Sequence, residues 1–341
     1  MLSKGNLSDK FCFPVYSSES TNNGIIGYTD SPEFMCDDEH PVFVTFGDHT
    51  RSFNIATESF SVLDNVKVLL PSIHNIRCLL WIITAWQKQI PNLGYARHWK
   101  IAKNCIVELP TIDGEIDFDF MESFIAELEV QRIAELKAYL QVSGLDDYEL
   151  SKDELEVLQR YSSLEFKDFD TLEIFRVKNT SNILSCDIVE NSGRIPYLCA
   201  SSENNGVSSY IEYDDKFLEK GNCIFIGGKT FVVTYQENNF YSNDSHNLAL
   251  YLKKEIARTK LNQLYIATCV FKSLSHKYSW GNSVSSSKIK TDKISLPVKN
   301  GKPDFGIMGT FISAIQKLVI KDIVLYADKK IDATKMVVSK K

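Results

Sequence analysis

Short apolar runs rich in β-branched and aromatic residues recur along both halves of the chain, divided by clusters of Gly, Asn, Asp and Ser. PVFVTF (41–46), FSVLDNVKVLL (60–70), CIFIGG (223–228) and TFVVTY (230–235) have the length and residue types of strands. A more helical apolar segment follows each set, CLLWIITAWQKQI (78–90) in the first half and LNQLYIATCVFKSL (261–274) in the second. Each half then closes on a longer helical pattern. Met308, Ile312, Ile315, Val319 and Tyr326 form a 4-3-4-7 stripe, and Met121, Ile125, Leu128 and Tyr139 stand at the matching positions of the first. Such a stripe predicts helices that pack lengthwise, with Met121, Ile125, Leu128, Met308, Ile312 and Ile315 in the seam. About 21 residues of helix would span ~32 Å. Between the halves, SKDELEVLQRY starts a further helix with Ser151 as N-cap and Glu154 at N3, a capping box. The basic end, ADKKIDATKMVVSKK, is expected to leave the helix near Asp332.

The halves are copies of each other. At an offset of 182, FPVYSSESTNNGIIGYT (13–29) falls on IPYLCASSENNGVSSYI (195–211), so that Asn22-Asn23-Gly24 meets Asn204-Asn205-Gly206. At an offset of 187, VELPTIDGEIDFDFMESFI (107–125) falls on ISLPVKNGKPDFGIMGTFI (294–312). Matched blocks in the same order indicate an internal duplication. The second copy carries a leading segment, LEIFRVKNTSNILSCDI, whereas the first has about a dozen residues ahead of Pro14.

Composition leaves several function classes without support. At 341 residues the chain has room for two domains, and 44% hydrophobic with 24% charged residues is ordinary for a globular protein. No run is apolar enough to span a bilayer, and no signal-peptide pattern opens the chain, so a cytoplasmic location away from membranes is the expectation. The eight cysteines form no CxxC pair and read as buried free thiols. None of the six histidines belongs to an HExxH or other close ligand pair, so no metal site is expected. GGKT (227–230) lacks the upstream Gly of a phosphate loop, and there is no GxSxG elbow. Asp117 and Asp119 precede a long helix and suit capping better than acid–base work. A duplicated body without a catalytic constellation reads as a recognition or scaffold subunit. The net charge of −6 weighs against a uniformly basic nucleic-acid footprint and keeps open a protein-binding scaffold that does not touch DNA.

The IPY…NNGV…YI loop, the CIFIGG turn, the YSW segment and KISLPVKNGKPDF…M leading into a helix resemble the target-recognition domain of restriction–modification specificity subunits, of type I or type IIB systems. The first half resembles the same pattern through FPVYSS…NNGIIGY and IVELP…GEIDFDFME. The resemblance implies an α+β chain with two tandem β-rich target-recognition domains, each followed by a long spacer helix, the helices packed antiparallel. The expected limits are 1–112 for the first recognition domain, 113–165 for its helix and an acidic linker, 166–300 for the second domain, and 301–341 for the second helix and basic tail. It implies a non-catalytic subunit that reads a bipartite double-stranded DNA target and positions DNA methyltransferase subunits, fused to or accompanied by a nuclease. S-adenosylmethionine and Mg2+ would then sit on the partners, with no cofactor in this chain.

Candidate contacts lie where basic and aromatic residues interleave ahead of each LP motif. These are Arg97, His98, Lys100 and Lys103 in YARHWKIAK, and His276, Lys277, Tyr278, Lys288 and Lys290 in HKYSWGNSVSSSKIK. They offer cations for phosphates and donors for base edges. The bland alternative is an ordinary basic loop, with Trp99 or Trp280 tucked into the core. His49, Arg51, Lys229 and Thr230 fall in turns between strands, and Arg51 has the fork to pair with guanine. Ser17 and Ser201 precede the NNG loops and could donate to phosphate. The NNG loops themselves read as architecture, since Asn-Gly accepts positive φ and the repetition spans two units expected to read different half-sites.

Overall fold

The computed structural model describes residue 5 and residues 7–338, with the last helix's side chains described as far as residue 332. The chain divides into two compact units, residues 1–138 with 329–341, and residues 139–328.

In unit 1 the chain runs through β1 (Phe13–Tyr16), β2 (Ile25–Thr29), β3 (Phe43–Gly47), β4 (Phe53–Ala56), β5 (Ser61–Val62) and β6 (Val66–Leu69). Helix α1 (Ile76–Gln89), the single turn α2 (Trp99–Ala102), a small ribbon of β7 (Thr111–Ile112) and β8 (Glu115–Ile116), and the long α3 (Phe118–Val142) follow. The strands form two sheets, β2-β1-β5 and β4-β3-β6, with β1 antiparallel to β2 and parallel to β5. Apolar residues from both sheets are buried, among them Val15, Tyr16, Val44, Phe46 and Phe60.

Unit 2 opens with α4 (Lys152–Arg160), β9 (Phe166–Asp170), the single turn α5 (Thr171–Ile174) and β10 (Phe175–Asn179). It continues through β11 (Ile195–Leu198), β12 (Val207–Ile211), β13 (Cys223–Ile226), β14 (Val233–Gln236), β15 (Tyr241–Ser242) and β16 (Leu248–Leu252). Helix α6 (Lys260–Leu274), β17 (Lys293–Lys299), β18 (Lys302–Pro303) and α7 (Phe305–Val338) complete it. Its sheets are β12-β11-β15, β10-β16-β13-β14 and β18-β17-β9.

The duplication is thus visible in hydrogen bonding as well as in sequence. Val15↔Ser61 and Tyr16↔Val62 in unit 1 repeat as Tyr197↔Tyr241 and Leu198↔Ser242 in unit 2. The NNG loops repeat down to side-chain detail. Asn22 Nδ2 donates to the Ile25 carbonyl at 2.9 Å, and Asn204 Nδ2 to the Val207 carbonyl at 3.0 Å. Asn22, Asn23, Asn204 and Asn205 all have φ between 46° and 54°, a left-handed conformation Asn tolerates better than most residues.

The two copies differ in what frames them. β10 lies along the outer edge of β16, and β9 pairs with β17 from Lys293↔Asp170 to Pro297↔Phe166. Among the described residues of unit 1, no strand lies along the outer edge of β6, and residues 106–110 form no strand. In unit 2 the Tyr161 ring stacks on Phe311 at 4.0 Å, and its hydroxyl meets that of Tyr265 at 3.0 Å. The counterparts in unit 1, Phe124 and Trp81, pack against each other at 5.1 Å, and Phe124 stays exposed. Among the described residues, unit 1 thus shows no counterpart of β9, β10 or the Tyr161 stack.

Capping follows sequence chemistry. Ser151 and Glu154 close the capping box, and Asp117 and Asp304 accept from the N–H groups of Phe120 and Ile307 at 2.8 and 3.1 Å. The long helices have 25 and 34 residues, or ~38 and ~51 Å. α7 continues to Val338, past the end expected near Asp332, while residues 339–341 of the basic tail lie outside the described residues. The expected seam needs correcting. Met121 and Met308 are wholly buried, and Ile125 and Ile312 are half-buried, but Leu128 and Ile315 are exposed. The fully buried line of α7 runs instead through Ala314, Val324 and Ala327. Small side chains mark it, and a stripe drawn through large residues passes beside them.

All eight cysteines are free thiols. Cys78 and Cys223 are buried, whereas Cys12 and Cys186 are exposed, contrary to the expectation of uniformly buried thiols. Burial pushes the Cys223 thiol up to about 12. Among the described residues no helix is long and apolar enough to cross a membrane, and no group of His, Cys, Asp and Glu could hold a metal ion.

Candidate nucleic-acid interface

Three loops are joined to one another in each unit, and between them they hold most of the candidate contacts. In unit 1 the β3–β4 turn, Asp48-His49-Thr50-Arg51, is the hub. The Asp48 carbonyl accepts from both the backbone N–H and the Nδ1 of His98 at 2.9 Å, and its carboxylate accepts from the Trp99 N–H at 2.6 Å. His98 Nε2 accepts from the Leu93 N–H at 3.1 Å. The Ser52 hydroxyl reaches the Glu19 carbonyl in the NNG loop at 3.4 Å, and Ser18 donates to the Asn65 carbonyl at 2.8 Å.

Unit 2 repeats the scheme with different side chains. The Val284 N–H donates to the Gly228 carbonyl at 3.0 Å, as the His98 N–H does to Asp48. Thr230 donates to the Ala200 carbonyl at 2.9 Å, tying the β13–β14 turn to the NNG loop. Both turns need one residue in the left-handed region, supplied by Arg51 at φ 60° and Phe231 at φ 55°. Gly228 is required for another reason, since a Cβ there would collide with the His246 backbone.

The candidates separate into surface and interior groups. Arg97, Lys100, Lys103 and Lys290 are exposed, with side chains unpaired among the described residues, and His276 is exposed as well. Lys288 is exposed and donates to Asn282 Oδ1 and the Ser283 carbonyl at 2.9 and 2.8 Å. Lys229 is exposed but paired with Asp244 at 2.8 Å. Burial raises the Asp244 carboxyl, yet hydrogen bonds from Lys229 and from the His246 backbone and ring outweigh it and hold the group down at about 2. Arg51 is half-buried, with one guanidinium nitrogen on the Ile90 carbonyl at 2.7 Å. His49 is half-buried, and Thr230 and Ser201 are partly covered by the turns they cap.

Three expected contacts are interior. His98 is wholly buried and braces Asp48. Tyr278 is buried with its hydroxyl on the Asp292 carboxylate, which Lys277 also meets at 2.8 Å. Burial first, and then Asp292, push the Tyr278 phenol far up. Ser17 is buried, and its hydroxyl accepts from the Glu19 N–H at 3.1 Å. These side chains shape the loops from within. The tryptophans divide as well: Trp99 packs on Phe46 at 5.6 Å, whereas Trp280 stands 79% exposed. Tyr95, which the basic–aromatic pattern did not single out, is 86% exposed and stacks on His49 at 4.3 Å. Its one sequence signal is the Pro-Asn-Leu-Gly turn just ahead of it.

Comparison with known proteins bears on the domain and the fold. Residues 164–324 match the family described as type I restriction modification DNA specificity domain. Over 154 residues the chain is 27% identical to the type II restriction enzyme BgcI specificity subunit S.BcgI of Heyndrickxia coagulans, covering 45% of this chain and 44% of that protein. The matched part therefore spans less than half the length of that relative. The crystal structure of a type I restriction–modification system S subunit from M. genitalium superposes with a TM-score of 0.55 at 12% identity, covering 100% of this chain and 90% of that one, a likeness of fold. Residues 164–324, most of unit 2, are therefore similar to a type I restriction modification DNA specificity domain, and the chain as a whole shares the α+β fold of an S subunit.

Proposed function

We propose that this chain reads a bipartite double-stranded DNA target in the cytoplasm and presents it to DNA methyltransferase subunits, fused to or accompanied by a nuclease. The observation that carries this reading is the same three-loop assembly built twice, with different side chains on it. One framework with two sets of loop residues suits two half-sites of different sequence. Exposed Arg97, Lys100 and Lys103 in unit 1, and Lys288 and Lys290 in unit 2, supply the phosphate contacts. Arg51 retains guanidinium donors for a base edge. The long helices set the gap between half-sites, for which one turn of B-DNA, about 34 Å, is the natural step for two major-groove readers. S-adenosylmethionine and Mg2+ belong to the partner subunits.

The test is selection from a random duplex library at fixed salt, using the full-length chain co-expressed with its methyltransferase partner. A recovered two-part motif with a constant gap is expected. A stable protein complex that enriches no sequence and shows no salt-sensitive DNA affinity would overturn the reading in favour of a protein scaffold, which the net charge of −6 suits.

A further inference from the structure

Large aromatic side chains seldom stand free in solvent, because burying one is worth a few kcal/mol and leaving it exposed forgoes that. A single exposed aromatic needs no explanation. Here the exposure recurs at one structural position of the repeat. Tyr95 and Trp280 lie in the loop that follows α1 in unit 1 and α6 in unit 2, just ahead of the residues pinned to the β-turn hubs, His98 and Val284. They are 86% and 79% exposed. A glycine in the left-handed region adjoins each, Gly94 at φ 67° and Gly281 at φ 98°.

Both tips are held rather than loose. The His49 ring lies 3° from parallel with that of Tyr95, and His49 Nδ1 contacts the Ala96 carbonyl at 3.3 Å. Around Trp280, the Asn282 N–H donates to the Ser279 carbonyl at 2.9 Å, and the Asn282 amide donates to the Lys277 carbonyl at 2.7 Å. Lys288 fastens the same Asn282 from the other side. Arg97 and Lys100, which follow Tyr95 in the chain, and Lys288 and Lys290, which follow Trp280, are exposed in the same loops. An ordered aromatic with cations in its own loop suits a surface that is anionic at its rim and apolar within, as a nucleic-acid groove is.

We propose that Tyr95 and Trp280 are the apolar contacts by which each unit engages the base pairs, packing against base steps while the neighbouring cations hold phosphates. This rests on the DNA-reading function above and divides the labour within it. The cations contribute salt-dependent, sequence-blind affinity, and the aromatics contribute salt-independent discrimination.

The test measures binding of the full-length chain, with its methyltransferase partner, to the selected duplex and to a scrambled duplex across a salt series. Tyr95→Ala and Trp280→Ala should each lower affinity for the selected duplex at least tenfold and reduce discrimination. Neither should change the slope of log K against log salt. Tryptophan emission should be quenched on adding the selected duplex, and Trp280→Phe should remove that quench. Wild-type binding with unchanged affinity, discrimination and quench in the variants would overturn the inference while leaving the DNA reading intact. Variants that bind DNA normally but lose the partner would also overturn it, by making the tips partner contacts. A wild-type complex that binds no duplex would sink both.

Discussion

Ser313 on α7 donates a 2.6 Å hydrogen bond to the carboxylate of Glu154 on α4, which also accepts from the Ser151 N–H at 2.7 Å and lies 3.4 Å from Lys317 Nζ. The group is nearly buried, and desolvation raises its pKa. The hydrogen bonds from Ser313 and Ser151 and the Lys317 charge prevail, lowering it from 4.5 to about 2. A carboxyl depressed in the folded state contributes stability in full above its ordinary value, and that contribution fades as the pH falls from 4.5 toward 2. Glu154→Gln should cost ~1–3 kcal/mol at neutral pH. Denaturant unfolding of the two proteins at pH 7 and pH 3 checks this, and the gap between them should narrow in acid.

His98 should behave as a structural residue. Its ring satisfies the Asp48 carbonyl and the Leu93 N–H inside unit 1. His98→Ala leaves both without that partner and opens a cavity, at ~2–4 kcal/mol. His98→Phe fills the space but restores neither bond. Thermal unfolding should rank wild type above the Phe variant and the Phe variant above Ala, a pattern that a surface contact residue would not produce.

Phosphate binding has its own signature. The Arg97→Ala/Lys100→Ala double variant should weaken binding at one half-site and flatten the salt slope by roughly 0.9 for each phosphate no longer neutralised. Lys288→Ala/Lys290→Ala should do the same at the other. Titration of duplexes carrying one intact and one scrambled half-site assigns each pair. Unchanged slopes would place the phosphates against other residues of the loops.

Hydrogen exchange should expose the unequal framing of the two units. β16 is paired on both edges, by β13 and β10, whereas β6 has β3 alone among the described residues. Amides on the open edge of β6 should exchange well before those of β16. Equal protection would mean that something covers β6 in solution.

Much of this architecture was legible in the residues, for identifiable reasons. A duplication repeats its turn chemistry, so Asn22-Asn23-Gly24 and Asn204-Asn205-Gly206 announced matching loops before any strand was placed. Ser151 with Glu154, and Asp117 ahead of α3, declared helix starts because capping depends on local spacing. The site was harder. Whether Trp99 or Trp280 faces water depends on what packs behind it, and no pattern within a ten-residue loop carries that. His98 and Tyr278 sit among basic residues yet turn inward, because Asp48 and Asp292, distant from them in sequence, offer acceptors there. The buried line of α7 escaped for a related reason: Ala314 and Ala327 allow close approach through the absence of bulk, which a search for bulk passes over.

The two added strands of unit 2 bear on how the reading loops change over generations. Substitutions that cost a kcal/mol or two are survivable only where a framework holds reserve. With β9 along β17, β10 along β16 and Tyr161 over Phe311, unit 2 stands on the more fully braced base. Its loops at 199–206, 227–231 and 276–290 can therefore drift further before the scaffold gives way. Among the described residues of unit 1, β6 has one open edge and Phe124 is exposed, so its loops draw on less of that reserve. On the proposed division of one half-site per unit, new specificities should arise sooner in the half-site assigned to the C-terminal copy.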